Sequence, residues 1–307
     1  MSLRGQRKAV AALLLGATCI GFAPLLVRWS ETGPTATAFY RILFALPLLW
    51  GWRHFTARPG GAKADAAKIA ARPRAGAFLL AGFCFAGDMA LWNWSLHLTS
   101  VANATLLTNL APILVVIGAR WLFGERAGRP LVFGMALAIL GGAVLVEADF
   151  HHGGIRGLGD MLGLLAAVFY AGYILSVKHL RRSADTSEIM AKSGVASCLF
   201  LLPVAALCGE VLLAHTARGW WMLTVLGLVS HIGGQGLIAY ALAHLGASFS
   251  SIGLLLQPVV AAALAALVLE ESLSVAQCLG GAAVLAGIGL ASIRPASFSN
   301  ADKDETR

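Results

Sequence analysis

Asp88 lies inside the apolar run "GFCFAGDMALWNWSLH", and Trp92 and Ser95 follow it at four and seven residues. On a helix that spacing puts a carboxylate, an indole and a hydroxyl on one face. Ionisable groups surrounded by hydrocarbon are costly and need a partner or a wet cavity. The face can therefore receive an ammonium at Asp88 with an apolar group against Trp92, or Asp88 can serve as a structural partner of Arg41 or of a hydroxyl. A second polar pair, His231 and Gln235, flanks Gly233 and Gly234 in "VSHIGGQGLIAY". The glycines predict a break in the helix that lines a cavity, and a histidine can also carry a proton.

Further polar positions recur on apolar runs. Thr105, Thr108, Asn109 and Pro112 share a face, and Pro112 removes a backbone donor, which bends a helix and frees a carbonyl near Thr108. Pro258 repeats this with Ser251 and Gln257, while Tyr170 and Tyr173, with Phe22 and Pro24, can supply an aromatic wall. The candidate binding set is thus Asp88, Trp92, Asn109, Tyr170, Tyr173, His231, Gln235 and Gln257, and the candidate hinges are Pro112, Pro258, Gly233 and Gly234. Arg41 is read as snorkelling to an interface or pairing with Glu31, in preference to meeting a ligand carboxylate or Asp88. His151 and His152 are adjacent in a polar loop and read as solvated, so neither a metal nor a cofactor is expected.

These residues need elements to hold them, and the composition says what kind. The chain has 307 residues, 58% apolar and only 12% charged. Soluble domains carry about 25% charge, so lipid must be the solvent for most of this surface. A net charge of +8 does not mark a nucleic-acid binder, because the basic residues form short clusters between apolar runs. Five cysteines lie in apolar segments without metal-like spacing and read as packing residues. The basic N-terminus with its long apolar run reads as a first membrane helix and not a signal peptide.

Ten runs are long enough to span a bilayer: roughly 9–28, 34–52, 76–97, 101–121, 128–147, 157–178, 187–209, 219–244, 247–269 and 274–293. The basic stretch Arg53 to Arg74 reads as a cytoplasmic loop. With both termini cytoplasmic, 19 of the 23 Lys and Arg residues fall on the inner side. The stretch "LTNLAPILVVIGARWLFGE" (Leu107 to Glu125) recurs 146 positions later as "GLLLQPVVAAALAALVLEE" (Gly253 to Glu271), and Gly134 and Gly141 then fall on Gly280 and Gly287 without a gap. Five spans per half make the second copy enter the membrane inverted, which puts Glu125 inside and Glu271 outside. Inverted repeats are the construction of secondary transporters, which alternate access to a central site. The glycine stripes at 134, 141 and 142 and at 280, 281 and 287 predict close helix packing, with a dimer face as a second use.

The helix "ANATLLTNLAPILVVIGARWLFGER" followed by "LVFGMALAILGGAVLV", repeated as "ASFSSIGLLLQPVVAAALAALVLEES" and "AQCLGGAAVLAGIGLA", resembles the drug/metabolite transporter superfamily, in particular its ten-helix EamA-type members. The resemblance covers nearly the whole chain. It implies an all-α integral membrane fold of two inverted five-helix repeats, residues 1–150 and 151–295, while the polar composition of 296–307 reads as a disordered cytoplasmic tail. It also implies alternating-access export of small metabolites across an inner membrane, with general likeness to exporters of neutral and aromatic amino acids. The last two spans carry no basic residue before Arg294, which argues against a phosphorylated substrate. Drugs, nucleosides or other metabolites are the alternative cargo. A membrane-embedded enzyme is the rival class, but no H-E-x-x-H or G-x-S-x-G pattern and no Walker motif is present.

Overall fold

A computed structural model describes residues 3–56, 73–99, 101–145, 155–268 and 274–292. Glu271, the His151–His152 pair, Arg294 and most of the basic 53–74 stretch lie outside the described residues. Every regular element among those described is helical. The chain opens with α1 (Leu3–Gly21) and α2 (Ala23–Arg28), then α3 (Pro34–Leu43) and α4 (Leu46–Thr56). Next come α5 (Ala75–Leu98), α6 (Val101–Thr108), α7 (Ala111–Phe123), α8 (Arg129–Leu145), α9 (Ile155–Leu180) and α10 (Thr186–Leu207). The path α11 (Ala217–Val225), a π-helical stretch (Leu226–Gln235) and α12 (Gly236–Leu242) is unbroken. The chain closes with α13 (Ala247–Gly253), α14 (Leu256–Val268) and α15 (Val275–Ser292).

Seven helical paths among the described residues are long and apolar enough to cross a membrane, and two shorter apolar helices, Arg129–Val144 and Val275–Ala291, accompany them. The α3–α4 path turns at Phe44 and Ala45, ahead of Pro47, so neither piece reaches spanning length alone.

The distribution of polarity explains why only helices are used. The outer surface carries Trp121 at 84% exposure, with Phe133, Leu140, Leu199, Leu207 and Leu267 also exposed. Water would penalise so continuous an apolar coat. Inside lie Arg41, Asp88, Asn93, His231 and Gln235, all buried. A chain that is apolar outside and keeps its few spanning polar side chains inside an apolar core suits hydrocarbon, where every backbone group must be satisfied within its own helix.

Packing is closest between α8 and α15. A Cβ on Gly134 would meet the carbonyl of Gly287 at 2.4 Å, and one on Gly287 would meet the carbonyl of Gly134 at 2.5 Å. Gly141 meets Gly280 in the same way, its Cβ position 2.7 Å from that carbonyl. The glycine stripes therefore meet each other within one chain. Other contacts come in matched pairs: α5 packs on α9 as the π-helical stretch packs on α1, and α6 and α7 pack on α9 as α13 and α14 pack on α1.

Carboxylates tie the ends. Glu125 accepts the amides of Ala247 (2.9 Å) and Ser248 (3.1 Å) and the Ser248 hydroxyl (3.0 Å), satisfying orphan donors at the start of α13. Beside it, Lys178 donates to the carbonyls of Leu242 and Leu245 at the end of α12. At the other ends of the helices, Glu210 accepts the amides of Thr35 (3.1 Å) and Ala36 (2.9 Å) at the start of α3. Glu31 accepts from the amides of His215 and Thr216 (2.9 Å each) and from the Thr216 hydroxyl.

Two outcomes follow. Gly134→Leu and Gly287→Leu separate α8 from α15, at a cost of about 1–3 kcal/mol of overpacking strain, and lower the thermal unfolding midpoint in detergent. The Thr216 hydroxyl, and then its amide, hold the Glu31 carboxyl below the ordinary carboxylate range. A lowered folded-state pKa means that the clasp contributes above the ordinary value and fails as the pH falls through the lowered one. Hydrogen exchange at the His215 and Thr216 amides, corrected for intrinsic rate, accelerates only on acidification below the ordinary range.

Candidate functional site

The helices leave a central cavity where seven paths meet. The α1–α2 junction supplies Ile20, Gly21 and Pro24, and α3 supplies Arg41. Asp88, Met89 and Trp92 come from α5, Thr105, Thr108 and Asn109 from the α6–α7 path, and Tyr170 from α9. Gln235 closes the π-helical stretch, and Gln257 and Ala261 come from α14. Its volume is about 40 Å³, room for about three waters. A substrate larger than that requires the walls to part.

Local sequence explains why these segments present polar groups here. The α6–α7 path steps at Asn109 and Leu110, just before Pro112, and the Leu110 amide reaches only three residues back, to the Leu107 carbonyl at 3.1 Å. The α13–α14 path steps at Leu254 and Leu255, just before Pro258, with Leu255 bonded to the Ile252 carbonyl at 3.0 Å. Both proline-bearing runs therefore step just ahead of their proline, one residue apart in the register of the repeat. Asn109 and Gln257 sit at these bends and both line the cavity. Pro258 lines a smaller neighbouring pocket with Leu106, Asn109, Ala138, Ile139, Gly142 and Leu255.

The cavity is polar in an unusual sense: many of its donors and acceptors bond to nothing in the protein. Asp88 Oδ1, Thr105 Oγ1, Tyr170 Oη, Gln235 Oε1, Gln257 Nε2 and two nitrogens of Arg41 are buried without a hydrogen-bond partner. Outside the cavity a few others are unpartnered, among them both ring nitrogens of His231, Asn93 Oδ1 and Ser250 Oγ, but many hydroxyls are satisfied. Ser193, Thr18 and Thr224 bond back to the carbonyl four residues earlier, and the Ser197 hydroxyl reaches the Gly82 carbonyl at 2.8 Å. Native interiors seldom leave polar atoms orphaned, and a cluster of them in one place calls for an explanation.

Of the eight candidate binding residues, six line the cavity: Asp88, Trp92, Asn109, Tyr170, Gln235 and Gln257. Tyr173 and His231 stand one layer behind. The ring of Tyr173 lies 6.4 Å from Tyr170 and 4.6 Å from Phe85, and Phe85 lies 5.3 Å from His231. Tyr173 donates its hydroxyl to the Met190 sulfur at 3.7 Å. Ser95 is also turned away, donating to the Gly159 carbonyl at 2.8 Å.

Two expectations need correction. The helix does not break at Gly233 and Gly234; it widens to a π-helix through them. A Cβ on Gly234 would meet Ile20 at 2.5 Å, so this glycine admits α1 against the widened turn. Arg41 neither snorkels nor pairs with Glu31. It is 1% exposed in the cavity wall, while Glu31 is engaged by His215 and Thr216. Hydropathy reads distance along a span and not rotation about it, so no sequence signal separated these two fates of Arg41.

An apolar-coated helical bundle with polar side chains gathered at a central cavity defines a multi-pass membrane protein. The chain belongs to the EamA-like transporter family, whose model matches residues 7–146 and 157–293. It is similar to the "Pseudopaline exporter CntI" of Pseudomonas aeruginosa, 26% identical over 50% of this chain and 52% of that protein. That match spans about half the length of the relative. It is also similar to a "Probable terminal-alkyne amino-acid exporter" of Streptantibioticus cattleyicolor, at 29% identity over 71% of this chain and 74% of that protein. A "Probable amino-acid metabolite efflux pump" of Escherichia coli is 30% identical over 60% of this chain and 65% of its own length. A solved structure, 16% identical, superposes with a TM-score of 0.77 over 94% of this chain and 97% of its own, which shows the fold alone.

The orphaned cavity groups make a testable statement about stability. Removing a buried hydroxyl that has no partner relieves its desolvation, worth about 1–3 kcal/mol. Thr105→Val accordingly raises the thermal unfolding midpoint of the empty protein, whereas removal of a hydroxyl engaged by the fold would lower it.

Proposed function

We propose that this protein is a secondary transporter of the inner membrane that exports neutral or aromatic amino acids, or similar small metabolites, by alternating access. The observation that carries the reading is the cluster of unpartnered polar atoms around one central cavity. A site that holds its polar groups ready for a visiting ligand leaves them unpaired when empty. The names of the relatives, which describe exporters of amino acids or amino-acid metabolites, favour the same cargo.

The architecture in this proposal is ten spans in two inverted halves, residues 1–150 and 151–295. Gly134 meets Gly287 while Gly141 meets Gly280, the self-complementary exchange that a two-fold relation between halves produces. Glu125 and its partners at Ala247 and Ser248 fall on the side assigned to the cytoplasm with both termini, and the Glu31 and Glu210 clasps fall on the outer side. The bends before Pro112 and Pro258 are the hinges, with Gly233 and Gly234 in the widened π-helical turn, where Gly234 gives the facing helix its room. Opening one side while the other stays clasped moves cargo without nucleotide hydrolysis.

Asp88 is the residue on which recognition of the amino group depends, with Trp92 against the side chain. A coupling proton would have two acceptors within the bundle, Asp88 and His231, and efflux with and without an imposed pH gradient decides whether one moves. In proteoliposomes, labelled phenylalanine and threonine leave faster than lysine, and Asp88→Asn slows them by at least about tenfold, the scale of one charged hydrogen bond. Efflux of none of the three above empty liposomes would sink the amino-acid assignment.

A further inference from the structure

Arg41 carries five N–H donors that deprotonation cannot remove, and it is buried at 1% exposure in the cavity wall. Its Nη1 donates to the sulfur of Met89 at 3.3 Å, a weak acceptor. Nε and Nη2 have no partner. Those two nitrogens make up one edge of the planar guanidinium, and such an edge grips a carboxylate through two parallel hydrogen bonds. Asp88, in the same cavity, is also 1% exposed, and its Oδ1 has no partner either. The free edge of Arg41 and the free oxygen of Asp88 thus make no hydrogen bond to each other. A guanidinium and a carboxyl group held apart in one cavity complement a ligand that carries a carboxylate and an ammonium on the same carbon.

We propose that Arg41 and Asp88 are the two poles of a zwitterion site: Nε and Nη2 of Arg41 bind the α-carboxylate of an amino acid, and Asp88 binds its α-ammonium. This deepens the exporter reading and rests on it. The pair sets specificity by exclusion. A ligand that lacks the carboxylate leaves Arg41 buried and unpaired, and one that lacks the ammonium does the same to Asp88, so both are rejected. The remaining wall contacts the substituent. Ile20, Trp92 and Ala261 present apolar surface there, and Thr105, Asn109 and Gln257 present uncharged polar groups. Side chains without charge fit this wall, and a third charge has no counterpart on it.

Titration calorimetry of the purified full-length protein in detergent tests the assignment with L-phenylalanine, phenethylamine and 3-phenylpropanoate, which share a ring and differ in their charged groups. Phenylalanine binds at least about tenfold tighter than either analogue, the scale of one charged hydrogen bond. Arg41→Gln abolishes the preference for phenylalanine over phenethylamine but keeps that over phenylpropanoate, and Asp88→Asn does the reverse. Arg41→Lys, which keeps the charge but loses the fork, falls between. Ratios within one variant do not depend on how much of it folds, and the wild-type series needs no variant at all. Equal binding of all three ligands by the wild type overturns the zwitterion site, as does an equal loss for all three in each variant. If neutral amino acids leave proteoliposomes while the three ligands bind alike, only this proposal fails. If nothing leaves and nothing binds, the exporter reading fails with it.

Discussion

A guanidinium and a carboxylate buried within a bundle whose outside is hydrocarbon set the terms for the rest of this structure. Neither Arg41 nor Asp88 reaches solvent beyond 1% exposure, and an ion in a low-dielectric interior costs several kcal/mol unless it is compensated. Under the proposed function the bundle must be tight enough to keep these groups buried and loose enough to let a compensating ligand arrive. The apolar coat, the glycine-to-glycine contacts and the carboxylate clasps meet the first demand. The bends ahead of Pro112 and Pro258 answer the second, because a helix with an interrupted bond ladder absorbs a change of angle more readily than a continuous one.

The clasps divide the labour by position. Inside the hydrocarbon, helices approach through small residues, since lipid supplies no hydrophobic drive between them. At the helix ends, where water returns, Glu125, Lys178, Glu31 and Glu210 bind backbone groups left open by the helix termini. Glu125 and Lys178 join segments from opposite halves of the sequence or from distant turns of it, and so do Glu31 and Glu210. In the proposed alternating-access cycle, changing which side is open releases charged hydrogen bonds on one side without disturbing the packed glycine seam between α8 and α15.

The residues that the sequence marked and those that the cavity uses overlap for a physical reason. Polar side chains on apolar runs are rare and expensive, so Asp88, Asn109, Tyr170, Gln235 and Gln257 announced themselves by type. Tyr173 and His231 were marked by the same rule, yet face the layer behind, around Phe85. A periodic pattern fixes which residues share a helix face and leaves open which neighbour that face meets. The glycine pair at 233 and 234 carried a similar ambiguity, since glycine permits a break, a close approach or a widened turn alike.

Composition and repetition by themselves determined the solvent, the all-helical class, the paired proline bends and most of the polar inventory, because each depends on residue type and spacing along one chain. Only the tertiary structure decided how the helices rotate against one another. That rotation turned Arg41 from an interfacial residue into a cavity wall, opposed the two glycine stripes within a single chain, and left the Nε and Nη2 edge of Arg41 and the Oδ1 of Asp88 unpartnered. Rotation is set by side chains far apart in sequence that meet across the bundle, and no local pattern encodes it.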